Sequence, residues 1–245
     1  MKILDLFSGV GGFSLGLEKA GMETAAFCEI DINAQKVLEK HWPNVPIFND
    51  VKELTHERLI RDGIYPDIIV GGFPCQDIST AGKQAGIHGE RSGLWTEFKR
   101  LIRDVQPKWA IIENVSALRS QGLTLVLQDL WEIGYDAEWH CIPASAVGAP
   151  HQRDRVWVIA YPMSKRLQQP LIHRQSIPFF TAEVKPRLSN DRLSEWLASW
   201  IRSRIVSGGD GIPRRLACHA LSQYGNAVVP QIPELIGRAI LAHEP

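Results

Sequence analysis

The sequence, 245 residues long, lacks several features that mark specialised classes of protein. No apolar run reaches membrane-spanning length, so we expect no membrane association. Its four cysteines lie far apart and form no CxxC pair, which argues against a zinc site or a disulfide framework and favours the reducing cytoplasm. It also lacks the GxGxxG and GKS/T loops that cradle phosphates. The remaining composition is ordinary for a soluble α/β domain with a small appendage.

The chain also has no net charge, which at first argues against a nucleic-acid partner. The distribution of the charges indicates the opposite. Residues 1–150 hold 14 lysines and arginines against 20 aspartates and glutamates, whereas residues 151–217 hold 12 against 5. A basic quarter beside an acidic body favours a segment that faces a polyanion, and a solvated basic face is the alternative.

A glycine-rich turn, Ser8 to Gly12, follows the first predicted strand and precedes a helix predicted over 13–20. Glycines there let a ligand approach the backbone closely. A second strand, 24–28, ends at Glu29, where an acidic residue is well placed for ribose hydroxyls. Together these features favour an adenosine-type ligand over a purely structural turn. Asp50, after a short strand at 45–48, either caps the following helix or accepts from an adenine amino group.

The main candidate for a reactive group is Cys75. It follows a buried strand predicted over 67–70 and the tight turn Gly71-Gly72-Phe73-Pro74. Catalytic groups of open α/β sheets lie at this edge, so Cys75 is either a nucleophile or a small buried core residue. The long polar loop that follows, 76–93, is typical of an active-site lid.

Two later strands carry further candidates. The strand predicted over 109–112 ends in Glu113, which either faces Cys75 as an acid or hydrogen-bonding partner or points to solvent. Arg153 and Arg155 precede a strand at 156–160, and residues two apart on a strand share a face that suits a phosphate or a base carbonyl. Other helices are predicted over 31–41, 94–105, 123–133, 189–204 and 232–243, with a strand over 135–142.

Six stretches, in order along the chain, are similar to the motifs of bacterial and phage DNA (cytosine-5)-methyltransferases. They are Asp5-Leu6-Phe7-Ser8-Gly9-x-Gly11-Gly12, Gly72-Phe73-Pro74-Cys75-Gln76, Gly82-Lys83-Gln84-x-Gly86, Glu113-Asn114-Val115, Arg153-x-Arg155 and Gly225-Asn226-Ala227-Val228. Two departures are visible. His151 stands where a glutamine is common, and the variable region that would recognise the target is short for the family.

The resemblance implies a Rossmann-like, S-adenosylmethionine-dependent methyltransferase fold with a mostly parallel, doubly wound sheet. The implied division is a catalytic and cofactor-binding domain at 1–161, a small irregular target-recognition region at 162–210, and a C-terminal segment at 211–245 that returns to the catalytic domain. The expected partner is double-stranded DNA and the expected state a monomer, with a partner protein for target recognition as the alternative. RNA cytosine methylation and a non-catalytic DNA-binding relative are the other interpretations.

The resemblance also implies a role for each site residue. Catalysis would rest on Cys75, Glu113, Arg153 and Arg155, with no metal ion. The cofactor S-adenosylmethionine, converted to S-adenosylhomocysteine, would lie against Phe7, Ser8, Gly9, Gly11, Gly12, Glu29, Ile30, Asp50, Val51, Gly72, Pro74, Asn226 and Ala227. Among these, Phe7 would pack on the adenine, Glu29 would hold the ribose, and Asn226 would complete the pocket near the methionine end. The residues expected to bind DNA are Gln76, Ser79, Lys83 and Arg91.

Overall fold

The structure is a computed structural model, and it describes residues 1–74, 93–149, 153–165, 171 and 227–244. Seven strands lie within these ranges: β1 (Lys2–Leu6), β2 (Glu23–Cys28), β3 (Ile47–Phe48), β4 (Ile68–Gly72), β5 (Trp109–Val115), β6 (Tyr135–Pro143) and β7 (Asp154–Pro162). The α-helices are α1 (Gly12–Ala20), α2 (Ile32–His41), α3 (His56–Arg61), α4 (Leu94–Val105), α5 (Leu118–Gln121), α6 (Leu123–Glu132) and α7 (Gln231–His243). No helix within the described ranges has the length and apolar character to cross a membrane.

The seven strands form one sheet in the order β3-β2-β1-β4-β5-β7-β6. Strands β3, β2, β1, β4 and β5 pair in parallel, and β7 runs antiparallel to both β5 and β6. The prediction of a mostly parallel sheet is therefore confirmed. The strand order reverses between β1 and β4, and open α/β sheets bind ligands at such a switch point, outside the carboxyl ends of the strands.

Helices cover both faces of the sheet, so alternate strand residues enter two separate cores. On one face, strand residues such as Leu4 and Ile69 pack with Phe98 of α4 and Val126 of α6. On the other face, α1 and α7 cover the sheet, and their buried residues form a second core with Ile3, Phe13, Leu17, Ile68, Ile111, Ile159, Ile236 and Ile240. The sheet is consequently wound on both sides, as predicted.

The C-terminal helix α7 packs directly against α1 through close backbone contacts. A Cβ atom built on Gly16 of α1 would lie 2.1 Å from the carbonyl oxygen of Pro230, and one on Gly237 of α7 would lie 2.9 Å from the Cβ of Ala20. Only glycine allows so close an approach at these positions. The end of this segment is fixed as well, because the Trp109 Nε1 donates to the Glu244 carboxylate at 2.6 Å.

Most predicted elements are present, with two informative differences in length. Strand β5 continues three residues beyond the predicted Ile112, and β7 begins two residues before the predicted Val156. The two extensions pair with each other, since Val115 lies opposite Arg155 in the antiparallel register. Helix α3 was expected only as a helix without stated bounds after Asp50, and α5 was not predicted. The predicted helix at 189–204 lies outside the described residues.

Candidate active site

The turn after β1 is held by hydrogen bonds to the end of β2. The Ser8 hydroxyl donates to the carbonyl of Asp5 at 2.6 Å and accepts from the backbone N–H of Cys28 at 3.3 Å. Phe7 has a left-handed backbone (φ 52°), and Gly9 follows with φ 54°. A Cβ atom on Gly9 would meet nothing within 4 Å, so the space beside this turn is open. The predicted ligand-binding turn is thus open at Gly9, whereas Gly11 packs closely against Trp42.

Glu29 lies beside that turn and is 9% exposed. Its carboxylate accepts from the backbone N–H of Gly9 at 2.7 Å and from that of Asp31 at 2.8 Å. Each carboxylate oxygen has a second lone pair, so both bonds leave acceptors for a pair of hydroxyl groups. The next residue, Ile30, exposes 71% of its surface beside the carboxylate. An apolar side chain next to a fixed acceptor suits a nucleoside.

Asp50 opens a tight turn at the end of β3. Its Oδ1 accepts from the backbone N–H of Lys52 at 2.9 Å, which leaves Oδ2 for other donors. The alternative that Asp50 caps the following helix is wrong, because the N-cap of α3 is Thr55, whose side chain accepts from the Arg58 N–H at 3.2 Å. Val51, the next predicted cofactor residue, is buried in the core.

These groups fit the nucleoside part of S-adenosylmethionine. The ends of β2 and β3 supply carboxylate acceptors for hydroxyl and amino groups, and the turn after β1 supplies open backbone. The C-terminal segment reaches the same place, since a Cβ on Gly12 would lie 2.6 Å from the carbonyl oxygen of Val228, next to Ala227. Phe7 is partly buried and its ring stacks against that of Phe98, with centroids 6.3 Å apart.

The catalytic candidates that the structure describes meet across β4, β5 and β7. Glu113 lies opposite Gly72 in the parallel register, and a Cβ on Gly72 would lie 2.7 Å from Glu113 Oε2. Glycine at this position therefore leaves room for the carboxyl group at the end of β4. From the other side, Arg155 Nε pairs with Glu113 Oε1 at 2.8 Å. Glu113 is 7% exposed, so the alternative of a solvent-facing carboxylate is wrong.

Burial and the neighbouring arginines have opposite effects on the pKa of Glu113. Burial raises the pKa of the Glu113 carboxyl, while Arg155 and Arg153 oppose the rise. Burial, together with the neighbouring Arg155, lowers the pKa of Arg153. Because Arg155 holds Oε1, the Oε2 of Glu113 is left for a hydrogen bond to another group.

Asn114 was not among the predicted site residues, although the structure connects it to the reactive turn. Its Nδ2 donates to the carbonyl of Phe73 at 3.1 Å, in a buried position two residues before Cys75. Its Oδ1 accepts from the backbone N–H of Val115 at 2.8 Å. The sequence signal was an amide within a strand that is otherwise apolar apart from Glu113. Asn114 thereby fixes the turn that leads to Cys75.

Several predicted site residues lie outside the described residues, and their roles remain predictions. They are Cys75, Gln76, Ser79, Lys83, Arg91 and Asn226. Pro74, the last described residue before Cys75, is partly buried at the carboxyl end of β4. The structure thus brings together the groups around the turns after β1, β2, β3 and β4, and the role of Cys75 stays a prediction.

Comparison with known proteins agrees with this arrangement. The family model described as C-5 cytosine-specific DNA methylase matches residues 1–197. A type II methyltransferase of Bacillus subtilis (strain 168), M2.BsuMI, is 39% identical over 168 residues, covering 65% of this chain and 42% of the relative. The type II methyltransferase M.CviJI of Paramecium bursaria Chlorella virus IL3A is 37% identical over 161 residues, with the same shares covered.

Among solved structures, a protein assigned as a DNA modification methyltransferase of an Escherichia coli prophage superposes with a TM-score of 0.59. It is 28% identical, and the match covers 69% of this chain and 49% of that protein. The chain spans less than half the length of the two curated relatives: each sequence match covers 42% of the relative.

Proposed function

This chain belongs to the C-5 cytosine-specific DNA methylase family, and on that basis we propose that it transfers a methyl group from S-adenosylmethionine to C5 of a cytosine in a specific DNA sequence. Its sheet is the Rossmann-like sheet of S-adenosylmethionine-dependent methyltransferases. The names of its relatives further suggest the methylating half of a restriction–modification system.

One observation supports this proposal most directly: the buried Glu113–Arg155 pair beside Gly72, at the end of the strand that leads to Cys75. The ion pair is 2.8 Å long, and Gly72 provides the space for the carboxyl group. A flat pyrimidine ring presents N3, its amino group and its carbonyl along one edge. A carboxyl group with arginines beside it is complementary to that edge.

The proposed reaction begins with a cytosine rotated out of the duplex, because its C5 is inaccessible within the base stack. The Cys75 thiolate adds to C6, forming a sulfur–carbon bond and moving an electron pair toward C5. Glu113 holds N3 and the exocyclic amino group, and it stabilises the charge that develops on the ring. Arg153 and Arg155 hold the base carbonyl and adjacent groups.

S-adenosylmethionine supplies the electrophilic methyl group when it is bound. C5, now electron-rich, would form a carbon–carbon bond to that methyl group as the bond between the methyl group and the cofactor's sulfur breaks, and S-adenosylhomocysteine would leave. Loss of the C5 proton to a base then returns the electron pair to the ring, and the bond between Cys75 and C6 breaks to release the thiolate. Asn114 contributes by fixing the Phe73 carbonyl, two residues before Cys75.

The cofactor is proposed to lie along the carboxyl edge from β1 to β3. Glu29 accepts the ribose hydroxyls, Asp50 accepts from the adenine amino group, and Phe7 and Ile30 contact the adenine ring. The remaining contacts are assigned to Ser8, Gly9, Gly11, Gly12, Val51, Gly72, Pro74, Asn226 and Ala227. The open space at Gly9 and the fixed Glu29 carboxylate support this placement.

Recognition of DNA is proposed to rest on the loop after Cys75 and on the basic part of the chain. Gln76, Ser79, Lys83 and Arg91 bind DNA, with Ser79 and Arg91 approaching its backbone, and residues 162–210 read the sequence. Residues 1–161 form the catalytic and cofactor-binding domain, and residues 211–245 return to it. The protein acts as a monomer, or with a partner chain if this short region does not suffice for recognition.

The test is methyl transfer by the purified protein from S-adenosylmethionine labelled in the methyl group, followed by identification of the labelled base. We expect label in 5-methylcytosine of duplex DNA, none in transfer RNA, and none with Cys75→Ser, which keeps its cofactor affinity. Transfer to RNA alone would move the proposal to RNA methylation. Retained transfer by Cys75→Ser would remove the proposed nucleophile.

A further inference from the structure

Helix α4 carries a side chain that holds the turn proposed to receive the adenine. We propose that Arg100 is a positioning residue for cofactor recognition, an inference that rests on the proposed function. It fixes the backbone after β3 so that Asp50 faces the adenine amino group. Arg100 belongs to no motif identified in the sequence, and it lies 49 positions from the first carbonyl that it binds.

The geometry places one guanidinium nitrogen across both ends of the turn. Arg100 Nη2 donates to the carbonyl of Val51 at 3.0 Å and to that of Leu54 at 2.8 Å. Between these carbonyls lie Lys52, whose backbone N–H donates to Asp50 Oδ1 at 2.9 Å, and Glu53, whose backbone N–H donates to the Asp50 carbonyl at 3.1 Å. The guanidinium therefore binds the far end of the turn, and Asp50 binds its start through one carboxylate oxygen and its backbone carbonyl.

Arg100 is itself held in place on the helix. Its Nε donates to Glu97 Oε2 at 2.7 Å, one turn earlier on α4. The guanidinium is planar and has five donors in fixed directions, so this bond aims Nη2 at the turn. A lysine has a compact ammonium on a flexible stem and cannot be oriented by Glu97 in the same way.

The same helix also contacts the strand that leads to the reactive turn. Trp95, near the start of α4, packs against Phe73 with ring centroids 5.5 Å apart and the rings tilted by 44°. It also donates from Nε1 to Asp129 of α6 at 2.7 Å. Helix α4 thus connects two turns, one proposed for the adenine and one for Cys75. We assign to Arg100 the first of these connections.

Arg100→Lys tests the inference, and Arg103→Lys on the same helix is the matched control. Arg103 is largely exposed, and its Nε bonds to the neighbouring Asp104 at 2.8 Å. We expect the Kd for S-adenosylhomocysteine, measured by calorimetry, to rise about tenfold in Arg100→Lys because charge-assisted hydrogen bonds are lost. Arg103→Lys should leave it unchanged.

A second ligand separates a positioning role from a general loss of folding. S-inosylhomocysteine carries a carbonyl oxygen in place of the adenine amino group, so it offers Asp50 an acceptor where S-adenosylhomocysteine offers a donor. Wild type should prefer the adenosine compound, and Arg100→Lys should lose this preference to within about twofold, since the acceptor is no longer held in position. In methyl-transfer assays, the KM of Arg100→Lys for S-adenosylmethionine should rise, while its kcat and its KM for DNA stay near the wild-type values.

Each result decides the inference separately from the proposed reaction. Unchanged affinity and selectivity in Arg100→Lys would overturn the inference and leave methyl transfer untouched. An equal loss of affinity for S-adenosylhomocysteine and S-inosylhomocysteine, together with a lower Tm, would also overturn it, because the role of Arg100 would then be structural only. A wild type that binds S-adenosylhomocysteine without methylating DNA would overturn the reaction, while the ligand selectivity still decides the role of Arg100. A wild type that binds neither ligand would overturn both.

Discussion

At the scale of single residues, the site depends on carboxyl groups that the fold holds in place. Glu113 is held by Arg155 at 2.8 Å and stands against Gly72, while Glu29 is fixed by two backbone N–H groups. Burial raises the pKa of Glu113, and the arginines limit the rise. We propose that the same residue type serves as a partner for a base at one place and as an acceptor for hydroxyl groups at the other.

Glu113→Gln should lower the single-turnover rate of methyl transfer by about 10²-fold or more, because the amide cannot exchange a proton with N3 of the base. Affinity for S-adenosylhomocysteine should stay unchanged. Rapid-quench measurement of methyl transfer checks the rate. The control is Glu23→Gln, at the exposed first residue of β2. An unchanged single-turnover rate in Glu113→Gln would count against its assigned role.

Asp5 is a fully buried carboxyl group in β1, and it gives a pH-dependent prediction. Its Oδ2 accepts from the Ser14 hydroxyl at 2.8 Å, and Oδ1 has no hydrogen-bond partner among the described residues. Burial raises the pKa of Asp5 to about 8. Because this lies above the value in an unfolded chain, the folded protein holds an extra proton between about pH 4 and 8. The associated stability is lost as pH rises through that range.

Asp5→Asn should remove this part of the pH dependence. The wild type should lose up to about 1.4 kcal/mol of unfolding free energy per pH unit as pH rises from 5.5 to 7.5, and Asp5→Asn should not. The difference between the variant and the wild type should therefore grow in favour of the variant with rising pH. Urea unfolding at several pH values measures the difference, and Asp62→Asn is the control at a partly exposed carboxylate. Parallel curves for wild type and Asp5→Asn would show that Asp5 is already ionised at pH 5.5.

Residue identities could be predicted from the sequence better than residue environments. The spacing of Glu29 from the glycine turn was visible, and Glu29 does bond to Gly9 across 20 positions. The burial of Glu113 could not be predicted, because it depends on the register that brings Arg155 of β7 against β5. Arg100 and Asn114 were missed for the same reason, since their acceptors are backbone carbonyls far away in the sequence.

At the scale of elements, the contact between α1 and α7 joins the C-terminal segment to the glycine turn. Gly16→Ala should destabilise the protein by about 1–3 kcal/mol, because the new methyl group would overlap the carbonyl of Pro230, 2.1 Å away. Thermal or urea unfolding checks this, and Glu39→Ala on the exposed side of α2 controls for the helix substitution. A Gly16→Ala protein as stable as wild type would mean that α7 can move away from α1 without cost.

Elements with a strong apolar pattern were predicted best. Helix α4 begins and ends where predicted, because its buried positions, Trp95, Phe98, Leu101 and Ile102, recur at helical spacing. The short helices α3 and α5 have six and four residues and too few turns for such a pattern. The extension of β5 arises from pairing with β7, which local sequence does not reveal.

At the scale of the whole molecule, the chain combines an acidic body with a basic quarter. Residues 1–150 hold the excess of acidic groups and most of the described site, and residues 151–217 hold 12 lysines and arginines against 5 acidic residues. Binding to duplex DNA should therefore weaken steeply as salt rises, because the basic side chains displace counterions from phosphates. Fluorescence titration at several salt concentrations measures the slope, and a slope near zero would contradict a polyelectrolyte interface.

The central claim is that this chain methylates cytosine C5 at one DNA sequence through Cys75. The most direct test is base-resolution mapping of 5-methylcytosine in DNA from a methylation-free host that expresses the chain, with Cys75→Ser as the control. We predict methylation at one short recurring sequence with wild type and none with Cys75→Ser. A folded wild type that binds S-adenosylmethionine and leaves every cytosine unmethylated, or methylation that persists in Cys75→Ser, would contradict the claim.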